Sequence, residues 1–226
     1  MAKSRQALYA LRDFFYTLVL AIFGWVLADF QGFMNHPIAA TGTFFENSWN
    51  LTFTALLIIA YGVEVVFCPG LVRPRDEVRN PWRRWKGMLM EANLVPATFC
   101  ARLGVMQMAH SDYIRYAGLF FFAISLAVTV SYGRVRSEQI KKVGDNSFAT
   151  TGIYRKVRFP EYLAQLTYSL GVALLFKSWL ALIATILLLR YMVVYVRKLN
   201  GYVQEKYMRD WSEYSRKTRL LIPFIY

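Results

Sequence analysis

WLALIATILLLRYMVVYV, Trp179–Val196, is a run of 18 residues with one charged member, Arg190. A helix of that length extends about 27 Å, close to the hydrocarbon thickness of a bilayer. Three further runs have the same character: Phe14–Phe30, Trp49–Phe67 and Ile114–Tyr132. Just ahead of the quoted run lies Tyr162–Phe176, which is shorter and joined to it through Lys177-Ser178, so the two predict a helical hairpin. Composition agrees. The 226 residues are 56% hydrophobic and 17% aromatic, only 18% are charged, and mean hydropathy is +0.29. That balance excludes a soluble domain.

Met88–Ala109 is apolar but carries Glu91, Asn93, Pro96 and Arg102. Charge bookkeeping bears on it. The N-terminus, Arg73–Lys86, Arg134–Arg158 and the tail after Arg197 are basic, whereas Asp29–Asn50 and His110–Tyr113 hold no Lys or Arg. With basic loops on one face, the chain must cross between Lys86 and His110 and return by Arg134. The fold expected is therefore all-α, a polytopic transmembrane bundle of about six spans closed by a C-terminal amphipathic helix. Both termini fall on the positive side. An interfacial helix is the alternative for Met88–Ala109. A charge such as Arg190 within a span should find a protein partner or reach an interface.

The net charge of +13 is concentrated beside the apolar runs, where anionic headgroups account for it, and it forms no continuous nucleic-acid-binding face. In RPRDEVRNPWRRWK, residues Arg73, Arg75, Trp82, Arg83, Arg84 and Trp85 interleave guanidinium groups with indoles, the pattern of a lipid-headgroup anchor. Cys68 and Cys100 give neither a disulfide framework nor zinc spacing. His36 and His110 are assigned no role, and no metal site is expected. The basic start has no small-residue cleavage site and reads as a retained first helix, although it also suits mitochondrial targeting. The expectation is an integral protein of an intracellular membrane (mitochondrial inner membrane or endoplasmic reticulum) or of a bacterial inner membrane.

From Ile114 onward the chain resembles the membrane family of isoprenylcysteine carboxyl methyltransferases and phospholipid methyltransferases. The run Thr150-Thr151-Gly152-Ile153-Tyr154-Arg155-Lys156-Val157-Arg158-Phe159-Pro160-Glu161-Tyr162-Leu163 is similar to that family's T-T-G-x-Y-x-x-V-R-H-P-x-Y-L. Tyr214, Thr218 and Ile222-Pro223 match the spacing of its ending. Steroid 5α-reductases and sterol reductases are similar in the same region, through the final Leu221–Tyr226 and through Lys206-Tyr207 with Asp210-Trp211. The chain divides accordingly into an N-terminal transmembrane region, 1–110, and a methyltransferase-like core, 111–226.

Two departures bear on activity. Phe159 stands where the family has a histidine, and Asn200-Gly201 stand where it has paired acids. S-adenosylmethionine carries a sulfonium and an ammonium group, which need carboxylates or other acceptors. If the chain is active, the resemblance implies that Tyr154, Arg155, Arg158, Tyr162 and Glu205 hold this cofactor. The arginines also suit lipid phosphates, and interfacial tyrosines are common in membrane proteins. The reading preferred is a degenerate relative, a pseudoenzyme with no cofactor and no catalytic residue. It would serve as a structural or accessory subunit, with membrane lipids, anionic headgroups and protein partners and without nucleic acid. The alternative is an active S-adenosylmethionine-dependent methyltransferase on a lipid or lipidated substrate, and third an NADPH-dependent sterol-type reductase.

Overall fold

A computed structural model describes residues 2–67, 91–108, 111–143 and 148–221. The helices, in chain order, are α1 (Ala2–Leu27), α2 (Phe30–Asn35), α3 (Pro37–Glu46), α4 (Ser48–Phe67), α5 (Leu94–Leu103), α6 (Tyr113–Val143), α7 (Pro160–Leu175) and α8 (Trp179–Lys217). A 3₁₀ turn, Gly152–Arg155, precedes α7. Among the described residues, four stretches are long and apolar enough to cross a membrane: Ala10–Leu27, Ser48–Phe67, Tyr113–Gln139 and Trp179–Glu205. The all-α membrane bundle expected from the apolar runs is the fold observed.

Side-chain contacts give each helix its direction. Phe14 and Thr17 of α1 meet Tyr61 near the end of α4, while Trp25 meets Phe44 just ahead of α4, so α1 and α4 are antiparallel. Trp49 stacks near Tyr116 and Phe67 lies under Arg134, which makes α4 and α6 parallel. Along α6 and α7, Gly118 faces Gly171 and the Ser125 hydroxyl donates to the Ala164 carbonyl, an antiparallel pair. Ser169 with Thr185 and Tyr162 with Tyr195 make α7 and α8 the expected hairpin.

The ambiguous segment resolves in the same way. Thr17 and Gly24 of α1, and Asp29 just beyond its end, meet Glu91, Val95 with Thr98, and Arg102, in that order. It therefore runs alongside and parallel to α1, and α1, α4, α5, α6, α7 and α8 alternate in direction. The segment is not a full-length span, however. α5 has ten residues, about 15 Å at the α-helical rise.

Without a hydrophobic drive between helices in lipid, close backbone packing and interhelical hydrogen bonds hold such bundles. Gly118 and Gly171 supply the first, since a Cβ on Gly118 would lie 2.6 Å from the Leu175 nitrogen. Asn93 supplies the second, its amide donating to the Ser169 carbonyl (3.0 Å) beside the Thr185 hydroxyl. Beyond a kink at Met208 (φ 43°), α8 ends in the amphipathic tail. Trp211, Tyr214 and Thr218 turn inward, and Arg209, Asp210, Glu213 and Arg216 outward. Arg190 is exposed on the outer side of α8, and no described residue pairs with its side chain.

Candidate functional site

The Thr150–Leu163 block crosses the end of the bundle that also holds the tail. Thr151 is extended and Gly152 takes φ +58°, a left-handed conformation that glycine adopts without a Cβ penalty. The 3₁₀ turn then carries Tyr154 inward and leaves Arg155 exposed. Phe159 caps α7 and Pro160 opens it, where a missing N–H costs nothing. Val157 and Arg219 lie side by side, with the Arg158 amide donating to the Arg219 carbonyl (2.8 Å) and the Arg219 amide to the Lys156 carbonyl (3.0 Å). The tail is thereby stitched across the block.

Inside this stitch sits a knot around Asn200. Its amide oxygen accepts from the Arg158 guanidinium at 2.8 Å and from the Trp211 indole at 3.2 Å. Arg158 donates again to the Thr218 carbonyl at 3.2 Å. Burial pushes the guanidinium below its ordinary value, Tyr214 opposes this, and Arg219 adds to it. Phe159, 6% exposed, fills the adjoining space with its ring 6.0 Å from Trp211 and 6.4 Å from Tyr162. Phe148, Tyr195, Tyr207 and Tyr214 complete the aromatic layer. The Tyr214 hydroxyl donates to the Tyr154 carbonyl at 2.7 Å. Burial, and secondarily the charge of Glu161, push the Tyr154 phenol well up, and burial likewise raises that of Tyr214. Both phenols are neutral at ordinary pH.

Of the residues read as cofactor ligands, Tyr154, Arg158 and Tyr162 meet here, whereas Arg155 and Glu205 are exposed. Glu205 lies one helical turn beyond Gly201 and on its face. A Cβ added to Gly201 would meet nothing within 4 Å. Arg73, Arg75, Trp82, Arg83, Arg84 and Trp85, read as a headgroup anchor, lie outside the described residues, as do Cys68 and His110. Cys100 is a buried free thiol.

A second feature was not anticipated. Across Pro160 from Phe159, Glu161 faces a partly open cleft of about 260 Å³ between α4, α6 and α7. Glu91 lines the same space, with Tyr61, Tyr132, Tyr168 and Phe122 as aromatic walls. The Glu91 carboxylate accepts from Thr17 at 2.6 Å and from Tyr61 at 3.5 Å. The buried Tyr168 hydroxyl has no hydrogen-bond partner among the described residues. Two carboxylates and several π-faces make this a cation-compatible space. In the sequence, Glu91 reads only as a polar interruption of an apolar run. Its partners are 74 and 30 positions away, beyond any local pattern.

Four long apolar helices, polar groups held between helices and an outer surface of large apolar side chains define an integral membrane protein. Residues 113–210, α6 through most of α8, match the phospholipid methyltransferase family. The match spans the region in which the Thr150–Leu163 block resembles that family. No curated protein matches the chain.

Proposed function

We propose that this chain is a non-catalytic relative of the membrane methyltransferases, serving as a structural or accessory subunit of a membrane assembly. One observation carries the reading: the Asn200 oxygen, where relatives place paired acids, is consumed by Arg158 and Trp211. A sulfonium cofactor approaching Asn200 would meet a guanidinium instead of a carboxylate, in surroundings that screen charge poorly. Phe159 adds no acceptor where an imidazole would stand, and its ring occupies the space. The packing elements of the family persist while its polar chemistry is replaced, as expected of a scaffold kept for its shape.

The test is native purification in mild detergent, followed by mass spectrometry of both proteins and small molecules. The proposal expects a membrane partner in stoichiometric amount and neither S-adenosylmethionine nor NADPH. Either cofactor, retained in stoichiometric amount, contradicts it. A second reading, methyl transfer from S-adenosylmethionine to a lipid or lipidated substrate, is favoured by the Glu91–Glu161 cleft, which offers carboxylates and aromatic faces to a cation.

A further inference from the structure

The outer surface of α8 is a continuous apolar stripe. Trp179, Ile183, Ile186, Leu187, Tyr191 and Val194 are all exposed, at the three- and four-residue spacing of one helix face. The opposite face, Ala181, Thr185, Met192 and Val196, is buried against the bundle. α8 packs on α7 and α5 and lies at the edge of the bundle. Such a stripe is ordinary for a lipid-facing helix except that Arg190 stands in the middle of it, exposed and with no described partner.

Depth makes the arginine costly. The apolar segment is bounded by Lys177 at one end and Arg197-Lys198 at the other. Arg190 lies about 10 Å along the helix from the nearer boundary and about 20 Å from the farther. Helical side chains lean toward the N-terminus, so Arg190 leans away from the nearer interface and toward the one its chain cannot span. Snorkelling, which relieves arginines at helix ends, is therefore directed the wrong way here. A guanidinium is charged at any working pH and holds five donors, so in hydrocarbon it needs an acceptor.

We propose that this stripe is a protein interface, and that its occupant is a transmembrane helix of another protein carrying an aspartate or glutamate at the depth of Arg190. Charge selects the partner. Two copies of this chain joined symmetrically through the stripe would set Arg190 against Arg190, and like charges repel strongly where the dielectric is low. A carboxylate presents the bidentate acceptor that a guanidinium fits best. The flanking isoleucines, leucine and valine supply packing on either side. This inference deepens the accessory-subunit reading and rests on it.

The experiment places a photo-crosslinking amino acid at Leu187 or Val194 in the full-length protein in its native membrane. The adduct is identified by mass spectrometry, and partner yield is compared after mild-detergent purification of wild type, Arg190→Leu, Arg190→Lys and Arg190→Glu. The expected adduct is one membrane protein with an acidic residue inside a spanning helix. Its co-purified yield should fall at least tenfold with Arg190→Leu and Arg190→Glu and stay within about threefold with Arg190→Lys. Pairing Arg190→Glu with an acid-to-lysine change in the partner should restore it. Size-exclusion profiles matching wild type assign the loss to the interface rather than to folding. Adducts to lipid or to a second copy only, or a yield unmoved by Arg190→Leu, overturn the proposal. A stoichiometric partner that persists in Arg190→Leu leaves the accessory reading standing and removes this surface. A retained cofactor with an intact crosslink removes the accessory reading and leaves the surface.

Discussion

Around Asn200 the interior is filled. One amide oxygen serves two donors, and Phe159, Trp211 and their neighbours occupy the surrounding space. Around Glu91 and Glu161 it is hollow, with two carboxylates and a Tyr168 hydroxyl unpaired among the described residues facing about 260 Å³. The two regions touch: Phe159 and Glu161 flank Pro160 and point into one and the other. A buried polar group is retained at low cost only when partners answer it or water reaches it. The knot follows the first route, and in the cleft Thr17 and Tyr61 answer Glu91 while the space beside it stays open. The knot can therefore be read as structure, whereas the cleft keeps capacity for a ligand.

If that contrast is right, the knot should be the more sensitive to mutation. Arg158→Leu removes the charged donor of Asn200 and of the Thr218 carbonyl, and the variant should lose about 2–4 kcal/mol. Reversible unfolding in mixed micelles measures this. A loss under about 1 kcal/mol would make the knot incidental.

Tyr214→Phe is milder, removing a single neutral hydrogen bond to the Tyr154 carbonyl, and should cost about 1 kcal/mol. It also carries a pH signature. Burial raises the phenols of Tyr154 and Tyr214 above their ordinary value of 10.0. The unfolded chain therefore releases these protons first. Their contribution to stability is complete below about pH 10 and declines as pH rises beyond it. Unfolding midpoints measured from pH 8 to 11 should fall at the alkaline end, and less steeply in Tyr214→Phe. Equal slopes would remove Tyr214 from the titrating set.

Glu91→Gln should do least, under about 1 kcal/mol, because the amide oxygen still accepts from Thr17, the closer donor, and only the 3.5 Å contact with Tyr61 is given up beside an open cleft. If it destabilised more than Arg158→Leu, the comparison would be inverted.

Much of this architecture was legible in the sequence, and the divide follows the range of the interactions. Apolar runs such as Trp179–Val196 declare their helices locally, whereas α5, only ten residues long, is too short to declare itself as a span. Gly152 and Pro160 carried their backbone roles in their residue types. What stayed hidden depends on distant pairing. Asn200 accepting from Arg158 joins positions 42 apart, and Glu91 with Thr17 joins positions 74 apart. Neither leaves a periodic trace. Arg190 was visible as a charge in a span, but its outward orientation depends on which face α7 and α5 cover.

The account turns on whether the filled knot excludes the family's cofactor. Losing two charge-assisted hydrogen bonds, at roughly 1.5–3 kcal/mol each, corresponds to about two to four orders of magnitude in affinity. Titration calorimetry of the purified protein with S-adenosylmethionine measures this directly, beside a triple variant, Phe159→His, Asn200→Glu and Gly201→Glu, whose last site has open space. The account predicts no heat from the wild-type chain at millimolar ligand and weak binding by the variant. Micromolar binding by the unmodified chain would contradict it and make the methyltransferase reading the correct one.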